Sequence, residues 1–133
     1  PPPCRVAFSP DEALLADVEA AAERWSAATG CAVDASDAGV PVRIVASIER
    51  PDGTQAPGVT SEDLDLIEVN VRCGPAQRAS TVLHEMGHAL GGRHVASHGV
   101  LSGEKGRVDV IDAAALESVC AQLDCGVLNP EEP

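Results

Sequence analysis

The sequence predicts an α/β or α+β domain in which an early, twisted β-sheet is backed by helices. Residues 42–48 and 67–72 alternate apolar with polar side chains, as half-buried strands do, and residues 4–8 form a shorter run of the same kind. One amphipathic helical pattern precedes the two longer strands and another follows them. Because 133 residues can bury about two thirds of the unfolded surface, we predict a single domain over 1–133.

The first helix is predicted from its start signal, its apolar stripe and its stop signal. Ser9 is a candidate N-cap, a proline follows it, and Glu12 completes a capping box. Apolar residues then recur at intervals of four, three and four from Leu14 to Trp25, which places them on one face of a helix. Gly30 is the expected end of this helix.

The later elements follow from turn residues and helical spacing. The sequence Pro-Asp-Gly at 51–53 predicts a turn after the second strand. A second helix is predicted from 75 to 90, opened by a proline and ended by two glycines. Residues 93–107 read as an irregular, glycine-rich segment, and apolar spacing predicts a last helix over 111–123.

The charge balance of the chain excludes some classes of partner. There are 21 Asp and Glu against nine Lys and Arg, which gives a net charge of −12. A field of that sign repels nucleic-acid phosphates and anionic membrane surfaces, so neither is an expected partner. No run approaches the 18 or so apolar residues that a membrane-spanning helix needs. We expect a monomer.

Five cysteines in a small acidic domain predict disulfides and an oxidising, extracytoplasmic setting. None lies in a CxxC pair, which argues against a thiolate zinc site. The favoured bond joins Cys4 to Cys31, because a position before the first strand and one after the first helix meet at one end of the sheet. We expect Cys73 to pair with Cys120 or Cys125, which leaves one thiol unpaired. The chain opens without methionine or a signal peptide, so a mature or trimmed domain is expected, with any pro-segment upstream.

Three of the four histidines fall in one motif, HEMGHALGGRH, on the second predicted helix and the turn after it. His84 and His88 are four residues apart and share a helix face, and Gly91 allows a turn that brings His94 back as a third ligand. Glu85 is rotated by about 100° from His84, near a metal's water without being a ligand. Three protein ligands leave a fourth position open, which is typical of catalytic zinc. The HExxH part alone recurs by chance on amphipathic helices, but the extended motif fixes five residues.

The motif HExxHxxGxxH resembles the zinc signature of the metzincin clan of metallopeptidases, and the predicted order of elements is similar to that of the clan. The resemblance implies an upper subdomain of about 1–91 with the sheet and zinc helix. It also implies a small lower subdomain of about 92–133 with a tight turn and a C-terminal helix. By the same resemblance, His84, His88 and His94 would hold zinc and Glu85 would be the general base of an endopeptidase that cleaves protein or peptide substrates.

The sequence departs from the metzincin pattern at three points. The clan's turn beneath the zinc usually carries a methionine, but here Leu101 stands at the natural position, with Val100 as the next candidate. Val95, which follows the third histidine, matches none of the clan's main families, and the chain has no tyrosine to place near the metal. His98 is expected at the surface or in the cleft wall. The resemblance places the substrate along an edge strand, for which 58–60 is the candidate.

Two other functions stay open at this level. One is a zinc-binding scaffold or effector that keeps the fold with little or no turnover, which the Leu101 departure favours and the retained Glu85 disfavours. The other is a zinc-dependent hydrolase of non-peptide amides, which would use the same site.

Overall fold

The computed structural model describes residues 4–103 and 107–131. Residues 104–106 of the predicted irregular segment, and the two ends 1–3 and 132–133, lie outside the described residues. The described elements are β1 (Arg5–Pro10), α1 (Leu15–Thr29), β2 (Ala32–Ala35), β3 (Val40–Val45), β4 (Gly58–Thr60), β5 (Ile67–Asn70), α2 (Pro75–Ala89) and α3 (Ala113–Cys120), with a short 3₁₀ helix (Glu12–Leu14) before α1. The prediction of a mixed α/β domain with an early sheet is confirmed, whereas the division into upper and lower subdomains stays a prediction.

The five strands form one sheet in the order β2-β1-β3-β5-β4. β1 pairs in parallel with β2 and β3, and β3 pairs in parallel with β5. The connection from β1 to β2 runs through α1, as a crossover between parallel neighbours requires. β4 is antiparallel to β5 and lies at the edge of the sheet, so one side of this short strand has no neighbouring strand among the described residues.

The core is largely aliphatic, and the only tryptophan joins the first two helices. Phe8, Leu14 and Trp25 are fully buried, and α1 contacts both β2 and α2. The indole Nε1 of Trp25 donates a 3.0 Å hydrogen bond to the Leu83 carbonyl of α2. A Cβ on Gly87 would come within 2.7 Å of the Trp25 ring, so the absence of a side chain there lets α1 and α2 approach. Trp25 thus helps to set the position of α2.

The predicted start of the first helix was wrong, although its end is confirmed. Ser9 and the proline after it belong to β1, because that strand keeps pairing with β3 through Pro10. Asp11 then uses its carboxylate to accept a 2.9 Å hydrogen bond from the backbone N–H of Ile44. Ser9 and Pro10 are therefore part of the strand and cannot start the helix. The helix ends at Gly30, whose φ of 71° is the left-handed conformation that glycine adopts without strain.

Other boundaries differ from the predicted ones at the element ends. The strand predicted over 42–48 is Val40–Val45, and β2 (Ala32–Ala35) was not assigned from the sequence. The last helix is Ala113–Cys120, shorter than the predicted 111–123. Its N-cap is Asp112, whose side chain accepts a 2.9 Å hydrogen bond from Ala115 N. This cap explains why the helix starts after the apolar residue at 111.

The cysteines form two disulfides and leave one thiol, as predicted, but one partner was assigned wrongly. Cys4 is bonded to Cys31, which confirms the favoured pair. Cys120 is bonded to Cys125, five residues away, where the chain turns after α3. Cys73 is buried and free, with its Sγ 3.6 Å from the Pro57 carbonyl oxygen. Cys120 and Cys125 therefore bond to each other, and neither bonds to the distant Cys73.

The two disulfides favour an oxidising, extracytoplasmic setting. Within the described part of the chain, no helix is long and apolar enough to cross a membrane.

Candidate metal centre

The three motif histidines come together at the end of α2. His84 and His88 are one turn apart on the helix, which buries its residues 81–87 against the core. After Leu90 the chain turns at Gly91, whose φ of 107° would strain any other residue, and His94 returns towards the helix. His84 is buried, His88 is half-buried and His94 is exposed, so the cluster spans from core to surface. This is the turn that the motif predicted.

The distances within the cluster fit a tetrahedral metal ion. The Nε2 atom of His84 is 3.0 Å from His88 Nε2 and 3.3 Å from His94 Nε2. One ligand atom from each histidine lies within 4.8 Å of the other two. Zinc–nitrogen bonds of about 2.0–2.1 Å place tetrahedral ligands about 3.3–3.4 Å apart. The three imidazoles are therefore already close to the spacing that such an ion needs.

Backbone carbonyls fix which nitrogen of two histidines faces the cluster. His84 Nδ1 lies 2.5 Å from the Val100 carbonyl oxygen, and His88 Nδ1 lies 2.8 Å from that of Gly92. Because a carbonyl only accepts, each Nδ1 must carry the proton. In the neutral rings both Nε2 atoms then present lone pairs to each other, which is repulsive unless a cation lies between them. Metal-binding histidines generally donate their second nitrogen in this way.

Burial favours the neutral form of the His84 and His94 imidazoles, which is the form that binds a metal. Desolvation lowers the pKa of His84 to about 3, against 6.5 in water, although its hydrogen bond to the Val100 carbonyl opposes the shift. Desolvation also lowers the pKa of His94, and the neighbouring His88 adds to that effect. A proton is thus a poor substitute for a metal ion at His84. The chemistry of the donors and their spacing both fit a metal.

Glu85 lies beside the cluster, where its carboxylate is held by a threonine of the edge strand. It is only 7% exposed, and its Oε2 is 4.0 Å from His84 Nε2. The Thr60 hydroxyl lies 2.9 Å from Glu85 Oε1 and 3.1 Å from the Glu85 carbonyl oxygen. Burial raises the pKa of Glu85, while the Thr60 hydrogen bond and the charge of Arg107 oppose the rise.

Leu101 packs beneath the histidine-bearing turn, and its neighbour Val100 orients one candidate ligand, His84. Leu101 is fully buried. A Cβ on Gly87 or on Gly92 would come within 2.8 Å of a Leu101 methyl group, so these two of the three motif glycines make room for this side chain. The backbone carbonyl of Leu101 also accepts a 3.0 Å hydrogen bond from Val95. Side chain and backbone of the 100–101 segment thus both support the cluster.

A cavity of about 540 Å³ opens onto the cluster. Its walls include the histidines and Glu85, all three residues of β4, and side chains from neighbouring loops, among them Arg50, Glu62, Leu64 and Arg107. β4 is thus an edge strand that borders the candidate site, as the sequence suggested for 58–60. His98 is exposed and belongs neither to the three-histidine cluster nor to the described cavity wall.

Sequence reasoning missed one residue of this site, Arg107, and one contact, that of Thr60 with Glu85. Arg107 lies in the segment predicted as irregular, and no local pattern distinguishes it from a surface arginine. The bond from Thr60 to Glu85 spans 25 residues, so no short motif could indicate it.

No model of a known protein family matches the chain, and no curated protein matches it in sequence.

Proposed function

We propose that the protein is a zinc-dependent metalloendopeptidase with a metzincin-like catalytic domain. The observation that carries this proposal is the convergence of three imidazoles, with the Nε2 atoms of His88 and His94 at 3.0 and 3.3 Å from that of His84. Backbone carbonyls fix two of the tautomers, and a buried carboxylate lies alongside. The motif resemblance supports the same reading, and Leu101 would do the packing task of the clan's methionine.

Zinc is the metal that the donor set and the setting favour. Imidazole suits zinc, copper, iron and nickel, but zinc is the usual ion on three protein ligands with an open fourth position. Here His84, His88 and His94 would be the ligands, and the cavity side of the cluster would be the open position. When bound, zinc would polarise the scissile carbonyl and lower the pKa of a water towards neutrality.

Glu85 would act as the general base and then as the general acid. Its carboxylate is next to the cluster, within reach of a water in the cavity. Burial raises its pKa, which suits a group that must accept a proton from water and later deliver it to the departing amine. Thr60 would hold the carboxylate in one orientation by its hydroxyl group.

The edge strand β4 would bind the substrate. An extended peptide can add to an exposed sheet edge through main-chain hydrogen bonds. β4 borders the cavity along its whole length, and Thr60 within it touches Glu85, so a peptide on this edge would lie next to the base. The disulfides fit a secreted or extracytoplasmic peptidase.

A zinc-binding scaffold with little turnover is the second candidate, because Leu101 replaces the methionine of the resembled pattern. The presence of Glu85 argues against the scaffold function. A scaffold has no need of a carboxylate that is desolvated and oriented beside the metal ligands.

The test combines metal content with cleavage of casein and fluorogenic peptides. The parent should bind one zinc and cleave, and a chelator should abolish cleavage. Glu85→Gln should keep the zinc and lose turnover by several orders of magnitude, whereas His94→Ala should lose the zinc. Glu117→Gln, on the exposed side of α3, is the matched control and should behave as the parent.

Full zinc occupancy in His94→Ala would remove it from the ligand set. Near-parental cleavage by Glu85→Gln would exclude Glu85 as the base. A zinc-loaded parent that cleaves no peptide would favour the scaffold.

A further inference from the structure

The cavity carries a charge pattern unlike that of the rest of the molecule. Among the described residues that line it are two arginines, Arg50 and Arg107, and two glutamates, Glu62 and Glu85. These four charges cancel, so a divalent ion on the histidines would leave the cavity positive. The chain as a whole has a net charge of −12, with 21 acidic against nine basic residues. The loaded cavity would therefore attract anionic groups that most of the molecule repels.

Arg107 is the arginine of this cavity that is available for a ligand. It is half-buried, and among residues 4–103 and 107–131 its guanidinium has no hydrogen-bond or salt-bridge partner. Arg50, by contrast, already donates to the Gln55 carbonyl at 2.9 Å and to Thr54 Oγ1 at 3.3 Å. A half-buried guanidinium whose five donors have no partner among the described residues favours a planar anion as its partner.

The charge of Arg107 acts on the candidate metal centre. Arg107 lines the same cavity as His84, His88, His94 and Glu85. The same charge opposes the binding of a divalent cation, since like charges repel strongly at short range away from bulk water. An arginine at this place therefore costs metal affinity. A carboxylate that binds between the arginine and the metal centre would offset that cost.

We propose that Arg107 is a specificity-determining residue that binds a substrate carboxylate, so that the enzyme prefers peptides with an Asp or Glu side chain next to the scissile bond. This inference rests on the proposed peptidase function. The forked guanidinium can hold both carboxylate oxygens at once, which an amide side chain of the same size cannot match. Because distant charges are screened beyond about 8 Å at physiological ionic strength, the acidic surface elsewhere does not cancel this contact.

The experiment uses two peptide hydroxamates that differ only in a Glu or a Gln side chain. Their dissociation constants are measured by calorimetry on the zinc-loaded protein, so that no turnover is needed. The parent should bind the Glu probe at least about tenfold more tightly than the Gln probe, as expected for charge-assisted hydrogen bonds. Arg107→Gln should abolish the preference, and Arg107→Lys should retain part of it. Arg5→Gln makes the same charge change on an exposed residue of β1 and should leave the preference unchanged.

Equal binding of the two probes by the parent would overturn the proposal, as would an unchanged preference in Arg107→Gln. If Arg107→Gln lost affinity equally for both probes, the proposal would also be overturned, since Arg107 would then contact a group common to all substrates. A parent that shows the preference but cleaves no peptide would refute the peptidase function and keep the carboxylate subsite. A parent that cleaves peptides but binds both probes equally would keep the peptidase function and refute the carboxylate subsite. Failure of both probes to bind would refute the proposed function and this inference with it.

Discussion

Leu101 supports the candidate metal centre from below, and its truncation should be among the costliest single changes in the chain. The side chain is fully buried, with its methyl groups against Gly87 and Gly92 of the histidine motif. Leu101→Ala removes three carbon groups, which corresponds to about 2.4 kcal/mol of lost transfer free energy at about 0.8 kcal/mol each.

The cavity left by this change should persist. The two glycines have no side chains that could move into it, and the nearby Trp25 ring is held by its hydrogen bond to the Leu83 carbonyl. A cavity that does not collapse adds to the transfer loss, so we expect a total of about 3–5 kcal/mol. At about 2.1 cal/mol/K per residue, 133 residues convert this into a fall in Tm of about 10–18 °C.

The assay is thermal unfolding of the metal-free protein, followed by zinc titration. Leu101→Met nearly conserves volume and should cost less than about 1.5 kcal/mol, with zinc affinity within a few-fold of the parent. Leu128→Ala truncates a leucine that is 48% exposed and should change Tm little. A Leu101→Ala protein that melts with the parent would refute the reasoning, because it would show that this side chain is not what fills the space under the motif. If Leu101→Met switched on an otherwise silent protein, the scaffold function would be favoured.

Three further predictions follow from named contacts. Thr60→Val should keep the zinc but lower kcat about tenfold or more, with KM changed less, because the valine removes a hydrogen bond to the Glu85 carboxylate. Thr60→Ser keeps the hydroxyl and should behave nearly as the parent. Equal kcat in the Val and Ser variants would contradict this. Replacing the Cys4–Cys31 pair by serines should lower the free energy of unfolding by about 3.5 kcal/mol, and replacing Cys120–Cys125 should lower it by about 2 kcal/mol. The reason is that the first bond closes a loop of 27 residues and the second a loop of five. Equal losses in thermal melts would contradict this loop-entropy argument. The hydrogen bond from Arg24 lowers the pKa of Glu131 below 4.5, so this pair stabilises the fold above pH 4.5 and loses that effect as the pH falls through the lowered value. In melts over a pH series that spans 4.5, Glu131→Gln should therefore show a smaller acid-induced loss of stability than the parent, and an identical loss would contradict this.

The features that local geometry controls were predictable from the sequence. The course of α2 from Pro75, its end before Gly91 and the shared face of His84 and His88 all depend on residues within a few positions of each other. The stop of α1 at Gly30 is of the same kind. Alternating strands and helical stripes likewise predicted the mixed α/β class, because side-chain period reflects which face is buried.

Competition between elements decided what local patterns left ambiguous. Ser9 has the side chain of a helix cap, yet strand pairing through Pro10 takes its place because β1 continues alongside β3. Cys73 has suitable chemistry for a disulfide, yet Cys120 bonds to Cys125 because the turn after α3 brings these two cysteines together. Local sequence describes what each residue can do, and packing determines which option is used.

The candidate site also combines features that local sequence determines with features that tertiary contacts determine. The motif indicated the three candidate ligands and Glu85 by spacing alone, and it also contains Gly92, whose carbonyl orients His88. The groups that orient His84 and Glu85 come from distant segments. The Val100 carbonyl reaches His84 across 16 residues, and the Thr60 hydroxyl reaches Glu85 across 25. Such contacts depend on how the sheet edge and the loop after α2 fold back onto the helix, which side-chain periodicity does not encode. The candidate ligand set was therefore readable in the sequence, and only the tertiary structure decided what holds His84 and Glu85 in place.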